Sequence, residues 1–398
     1  MDKTKFTNAS PGHFTPVGGG VSRYMAFVPN PLPPPFQLDA NTLLLLSEAD
    51  QVVGQLASIG RLATHPALLI KPLVRREAVL SSHIEGTHSG LEDLYRFEAS
   101  RLLTPTQPNP ATVEDVHEVY NYVLALEHGL HRLNSLPMSI RLILELHRRL
   151  MHGVRGGQAT PGELRVSQNW IGPPDCTLNE ATYVPPPPDE MAEALQGLEL
   201  YLHQTPESPP LIRLALVHYQ FEAIHPFVDG NGRVGRLLLA LLAVQWNSLP
   251  SPLLYLSAYF DRNRDEYYRL LFDVSARGDW TAWIRFFLTA VISESRDTFN
   301  KLKALQDLRD RWRSELQSQR RMSVLTLRLV DHLIEHPYIT VPMAAKLLGA
   351  TYRTAQLHIE HLVRLGILTA QDARRYGKVY TAKDVLRIVS TIADREGL

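Results

Sequence analysis

The sequence predicts a mainly α protein closed by a C-terminal winged helix-turn-helix, and three observations carry that prediction. Apolar residues recur at i, i+3 and i+4 over most of the first three-quarters of the chain. Strand signals are almost absent before residue 322, apart from a short candidate around Cys176 to Pro188. After residue 322 the pattern becomes helix, extended piece, helix, turn, helix and two β-type pieces. At 398 residues the chain exceeds one ordinary core, so two or three domains are expected.

Residues 1–38 are rich in Gly and Pro and include Pro31-Leu32-Pro33-Pro34-Pro35, which predicts an extended arm over the surface or a linker. Helical periodicity begins at Asp39, where Leu43, Leu46, Val53, Leu56 and Ile59 fall on helical spacings, giving an N-terminal helical segment over 39–110. Helical patterns at 113–130, 138–152, 188–204, 209–224, 231–246 and 263–274 make a second helical domain over 111–290. A charged helix connects it, over 291–320, to a last domain at 321–398. There, helix Ser323–Glu335 leads to an extended piece Tyr338–Val341 and a helix Pro342–Leu348. A turn at Gly349-Ala350 and a helix Thr351–Leu365 follow, and two β-type pieces then flank Arg374, Arg375 and Lys378.

Lys plus Arg and Asp plus Glu both number 41, which argues against a chain-wide nucleic-acid coat or membrane binder. The single cysteine, Cys176, excludes an intrachain disulfide framework and fits a reducing compartment. Met1-Asp2-Lys3-Thr4-Lys5 leads into no apolar run, and no apolar window reaches about 18 residues. A cytoplasmic location without a membrane partner is expected. Neither His-Glu-x-x-His nor Gly-x-Ser-x-Gly occurs. The sixteen histidines, His147 and His152 among them, read as structural or exposed.

One run concentrates the chemistry: His225-Pro226-Phe227-Val228-Asp229-Gly230-Asn231-Gly232-Arg233-Val234-Gly235-Arg236. Pro226 stops the helix before it, and another apolar helix begins around Arg233. Between them Gly230, Asn231 and Gly232 let successive backbone N–H groups point into one concavity, an anion-binding nest at a helix N-terminus. Arg233 and Arg236 add planar forks for the same anion. Asp229 beside phosphates implies a bridging Mg²⁺, which takes one or two carboxylates plus phosphate oxygens. His225, with an ordinary pKa of about 6.5, is placed to accept a proton from an incoming hydroxyl. Phe227 is expected in the core. No Gly-Lys-Ser/Thr follows and no strand precedes, so the run is neither a Walker A loop nor a dinucleotide fingerprint.

The run resembles the signature of the Fic family, His-Pro-Phe-x-Asp/Glu-Gly-Asn-Gly-Arg-x-x-Arg, at every fixed position. The resemblance implies a helical Fic-type domain that transfers AMP from ATP to a Tyr, Thr or Ser hydroxyl, with pyrophosphate leaving. His225 would be the base and Asp229 the Mg²⁺ ligand. Gly230, Asn231 and Gly232 would form the anion hole, and Arg233 and Arg236 would hold phosphates. Upstream, Ser81, Glu85 and Gly86 resemble the family's inhibitory-helix motif, Ser/Thr-x-x-x-Glu-Gly/Asn. That implies a Glu85–Arg236 pair in the space of the ATP γ-phosphate, since one arginine cannot serve a carboxylate and a phosphate in one pose. The same glutamate could instead orient a water for AMP removal, as in some relatives.

Thr182, Tyr183 and Val184, on the far side of a hairpin entered through Gln168-Asn169-Trp170-Ile171-Gly172, resemble the flap that aligns a target by strand addition. Asn263 resembles an adenine-side contact and Tyr267 a nearby wall, while Glu222 reads as a surface or supporting residue. Residues 321–398 carry eleven Lys and Arg against seven Asp and Glu. Tyr352, Arg353, Gln356 and His358 on the helix, with Arg374, Arg375 and Lys378 on the wing, are candidates to meet DNA; the same module could bind protein. The expectation is an ATP- and Mg²⁺-using transferase restrained by Glu85, acting on other proteins and itself, with a homodimer among its assemblies. Two further readings stay open. One is AMP removal, or transfer of another nucleotide or phosphate-bearing group by the same pocket; the other is a DNA-binding regulator whose Fic domain senses nucleotide.

Overall fold

Helices dominate the computed structural model, which describes residues 2–18, 23–62, 66–103, 110–154, 160–173, 176–205, 207–319, 323–371 and 378–391. In chain order the first elements are strands β1 (Gly12–Val17) and β2 (Tyr24–Pro29) and helices α1 (Ala40–Leu62), α2 (Pro66–Ile84), α3 (Leu91–Leu103) and α4 (Pro110–Arg132). Next come α5 (Ile140–Leu150), α6 (Pro188–His203), α7 (Pro210–Ile224), α8 (Asn231–Gln245), α9 (Ser257–Arg262), α10 (Arg264–Arg277) and α11 (Trp280–Gln317). The chain closes with α12 (Val324–Glu335), β3 (Tyr338–Thr340), α13 (Val341–Leu348), α14 (Tyr352–Arg364), β4 (Thr369–Ala370), β5 (Val379–Thr381) and α15 (Lys383–Ser390).

α7 and α8 pack side by side at the centre. α7 opens on Pro210, whose missing N–H costs nothing at the first helical position. Nearly all its side chains are buried, so it is apolar on every side, as a helix enclosed by others must be. It ends at His225 in the left-handed conformation (φ +50°), with Pro226 barring another turn. α11 lies along α1, tied by Arg285 to Asp39 (2.5 Å) and Arg296 to Glu48 (2.7 Å). The domain boundary expected near residue 290 falls inside α11. Trp283, Phe287, Val291, Leu302, Leu305 and Leu308 are buried along its length, so the second helical segment and the connector share one rod.

Residues 2–18 and 23–38 form more than the expected arm. β1 and β2 pair antiparallel, from Gly12 opposite Pro29 to Val17 opposite Tyr24. Phe6, Phe14 and Phe27 pack on one another with ring centroids 4.9 to 5.8 Å apart, and the Phe27 N–H donates to Val184 O (2.9 Å). Three aromatic rings supply burial that the Gly and Pro content conceals. Conversely, the hairpin expected before Pro188 shrinks to one antiparallel bridge, Ile171 with Tyr183, and a 3-10 turn at Leu178–Glu180.

At the C-terminal end, α12, α13 and α14 enclose a core with an antiparallel sheet of order β3–β5–β4. α13 stops at Gly349 (φ +62°), and Thr351 caps α14 by accepting from the Thr354 N–H (3.2 Å). This module lies against α2 and α3. Lys71 meets Glu335 (2.5 Å), Tyr95 stacks on Tyr338 (6.2 Å), and the Tyr338 O–H donates to Glu92 (2.8 Å). Among the described residues no helix is long and apolar enough to cross a membrane.

Candidate active site

The C-terminus of α7 presents His225, and its environment sets its protonation. Nδ1 lies 3.2 Å from the Glu222 carbonyl, so a proton held there leaves Nε2 as the lone-pair nitrogen. Burial pushes the imidazole down to about 4, and the Arg165 guanidinium adds to that. At neutral pH His225 is therefore unprotonated, the state a general base needs.

Arg165, 2% exposed, holds this end of α7 in place. Its Nε donates to His225 O (2.9 Å), Nη1 to Ser167 O (3.2 Å), and Nη2 to Pro186 O and Ile224 O (3.5 Å). The loop from Pro226 to Gly232 is fastened from inside as well. Asn231 donates from Nδ2 to Phe227 O (2.8 Å) and accepts at Oδ1 from the Phe227 N–H (2.9 Å), so its side chain closes the loop on itself. Phe227 is fully buried, as expected, and stacks on His147 at 3.7 Å. His147 Nδ1 accepts from the Gly162 N–H (2.9 Å), so Nε2 carries the proton and donates to Asp229 O (3.1 Å). One neutral tautomer thus ties two loops together. Sequence reasoning passed over this role, although His147 falls on the apolar stripe of Ile143, Leu146 and Leu150.

Gly230 (φ +80°) caps α8, and its N–H donates to Asp229 Oδ1 (2.5 Å). Gly232 lets the Glu85 carboxylate pack against a bare Cα, since a Cβ there would lie 2.2 Å from Glu85 Oε1 and would displace that side chain. Arg233 turns towards Glu118 (3.1 Å) and Asp229 (3.5 Å). Arg236, 2% exposed, turns the other way: Nε donates to Ser81 Oγ (2.8 Å), and Nη2 to Ser81 O (2.8 Å) and Glu85 (2.6 Å). α2 is ended by Gly86 (φ +93°), where Gly86 N–H to His83 O (2.9 Å) and Thr87 N–H to Ser82 O (3.1 Å) form a Schellman close. Burial alone would raise the Glu85 carboxyl. Arg236 outweighs it, helped by Arg233 and His225, and holds the group below the ordinary value.

A cavity of about 610 Å³ opens over these groups, lined by Glu85, Ile171, Thr182, Tyr183, Glu222, His225, Gly232, Arg236, Tyr267 and Tyr268 among others. Tyr267 is buried, shares a hydrogen bond with His218 Nε2 (2.8 Å) and stacks on Phe260 (4.5 Å). The flap residues divide. Thr182 is exposed, whereas the Tyr183 O–H donates inward to Ala223 O (2.9 Å) and Val184 is fully buried. Asn263 does not line the cavity; its Nδ2 donates to Tyr259 O (2.9 Å) at the junction of α9 and α10. Glu222, read as a surface or supporting residue, lines the cavity with Oε1 buried and unpartnered, and burial pushes its carboxyl up to about 8.

Asp229 is half exposed, and among the described residues no three His, Cys, Asp or Glu side chains gather into a metal cluster. One half-exposed carboxylate beside a nest, with Oδ1 already held by the Gly230 N–H, fits Mg²⁺, which takes its other ligands from phosphate and water. In the C-terminal module Tyr352 is 57% exposed, and Arg353 and Lys378 are also exposed. Gln356 pairs with Glu360 (2.8 Å). His358 instead faces α12, with Nδ1 2.8 Å from Thr326 Oγ1. Arg374 and Arg375 lie outside the described residues.

Burial also pushes His147 down to about 4 and His218 to about 3. Unfolded, these two and His225 would charge below about 6.5, whereas the folded chain resists until near 4. Stability is therefore expected to fall as pH drops from 6.5 to 4, on the order of 3 kcal/mol per histidine. Denaturant unfolding at stepped pH measures this, and a flat profile across that window would contradict the burial.

Fold and loop together define a Fic-type protein. Residues 137–243 match the Fic/DOC family and residues 43–131 the Fic/DOC family N-terminal region. Over these two segments the chain carries the pattern of the Fic/DOC family. It is similar to the protein adenylyltransferases Fic of Drosophila yakuba and Drosophila melanogaster, each 30% identical over 181 residues, 44% of this chain. The match spans about a third of the length of those relatives, 32% in each case. The crystal structure of a Fic family protein from Desulfovibrio desulfuricans covers 88% of this chain and 98% of its own, with a TM-score of 0.55 at 20% identity. That likeness is one of fold.

Proposed function

We propose that the protein transfers AMP from ATP to Tyr, Thr or Ser hydroxyls of target proteins and of itself, and that Glu85 restrains it. The observation that carries this reading is the convergence of His225, the Gly232 end of the nest and Arg236 on one cavity, with Glu85 clamped on Arg236. Nε2 of His225 takes the acceptor proton as the acceptor oxygen attacks the α-phosphorus. A new P–O bond forms, the bond to the oxygen bridging the β-phosphorus breaks, and pyrophosphate leaves with that electron pair. The nest N–H groups and Arg233 oppose the phosphate charge, so catalysis rests on positioning and electrostatics. Asp229 would hold Mg²⁺, which when bound neutralises phosphate charge. Glu85 fills the γ-phosphate space while it occupies Arg236.

The same reading treats residues 321–398 as a winged helix-turn-helix that takes DNA or a protein on the exposed face of α14, and places the protein in the cytoplasm. ATP labelled at the α- or the γ-phosphate tests the chemistry. Label is expected to stay on protein only from the α position. Retention from the γ position, or from neither while ATP binds, contradicts AMP transfer.

A further inference from the structure

Eleven large apolar side chains stand exposed among the described residues, and four of them belong to two segments that border the cavity through Ile171 and His225. They are Val166 (91% exposed), Val228 (47%), Trp170 (42%) and Ile171 (37%). Hydrogen bonds hold their segments together: the Arg165 N–H donates to Pro226 O (3.0 Å), and Asn169 Nδ2 to Phe227 O (2.8 Å). Val228 sits in the catalytic loop itself, three residues after His225, and Ile171 lines the cavity.

The backbone that carries them is fixed. Val166 follows Arg165, whose buried guanidinium is pinned on four carbonyls. Trp170 Nε1 donates to Cys176 O (3.0 Å), so the one polar atom of the ring is satisfied internally and the part left to solvent is apolar. Apolar side chains scattered singly over a surface need no explanation. Four on anchored segments beside one opening mark an interaction surface whose ordering cost is already met.

Position identifies the occupant. Ile171, Gly172 and His225 line the cavity, and the backbone ties between 165–169 and 226–227 keep both segments at its border, so a segment that brings a hydroxyl to His225 lies beside them. We propose that Val166, Trp170, Ile171 and Val228 form an apolar collar that selects acceptor segments carrying a bulky apolar side chain beside the modified hydroxyl. The proposal rests on AMP transfer to protein hydroxyls and adds the substrate class.

The test uses the full-length Glu85→Gly protein, α-labelled ATP and two peptide pools centred on Ser, Thr or Tyr, one flanked by Leu and Phe, the other by Ser and Gln. The apolar pool is expected to show at least about tenfold higher kcat/KM, the scale of one buried apolar side chain. Trp170→Ser and, separately, Val166→Glu should bring that ratio towards one without changing ATP affinity. Equal rates for the two pools, or a ratio that survives both substitutions, overturns the collar. So does self-labelling with neither pool labelled. A concentration-dependent dimer dissolved by Val166→Glu would assign the surface to a second copy and overturn it too. ATP binding with no label on peptide or protein is instead the failure of AMP transfer itself, and the collar falls with it.

Discussion

His225→Ala is expected to lower AMP transfer by about 10²–10⁴-fold while leaving ATP affinity within a few-fold. In the proposed transfer the imidazole is the base, whereas the nest and Arg236 lie at the start of α8 and keep their own partners. Arg165 holds residue 225 through its carbonyl, so the fastening survives loss of the ring. Alanine tolerates the left-handed backbone there at a cost of about 1–2 kcal/mol, a local penalty that leaves the fold intact. Initial rates with α-labelled ATP and calorimetric ATP binding separate the two effects. An unchanged rate would remove His225 from the chemistry. Because the base works unprotonated and burial pushes it down to about 4, kcat/KM of the parent should hold from pH 8 to about 5 and fall only near 4. A fall centred near 6.5 would mean the ring is solvated.

Glu85→Gly is expected to raise self-labelling by about 10- to 100-fold, the value of one charge-assisted pair that ATP no longer has to displace. Arg236 keeps Ser81 Oγ and Ser81 O as partners, so it stays oriented but loses its counter-charge. The Glu85 side chain is 32% exposed, so solvent has already weakened the pair and the stability lost should be only about 1–2 kcal/mol. ATP should restore more melting temperature to this variant than to the parent, since the γ-phosphate then supplies the missing anion. Labelling that is unchanged or lower would sink the steric restraint.

What could be read from the sequence was what lies close together along the chain. His225 to Arg236 is one contiguous run, so its helix stop, nest and arginines were legible without a fold. Ser81, Glu85 and Gly86 were legible only through their resemblance to a known motif, because nothing local says that residue 85 meets residue 236. Arg165 and His147 act across loops, and neither carries a periodic signal that separates a functional hook from a core residue. Glu222 shows the same limit: its burial comes from Gly235 on the neighbouring helix, whose missing Cβ makes room for the carboxyl. Asn263 illustrates a different limit. Asn is favoured at helix ends for its own hydrogen bonds, and here the junction of α9 and α10 uses it. The β1–β2 hairpin was hidden because composition weighs Gly and Pro without seeing where three phenylalanines converge.

α2 carries Glu85 at its last turn, but its earlier turns are bolted down. Arg75 pairs with Glu98 (2.8 Å) and Arg76 with Asp297 (3.3 Å), both pairs nearly buried, and Glu77 hydrogen-bonds Ser257 (2.5 Å). Breaking a single buried pair costs about 3–5 kcal/mol, more than the 1–3 kcal/mol that coupled ligands usually exchange. ATP therefore lacks the leverage to withdraw the helix. The proposed restraint would then behave as a hinged latch on a fixed post rather than a sliding bolt, with the Gly86 turn as its pin. Amide exchange on ATP binding should loosen 82–87 and leave 69–80 protected, and whatever opens this protein in use must grip the tip and not the shaft.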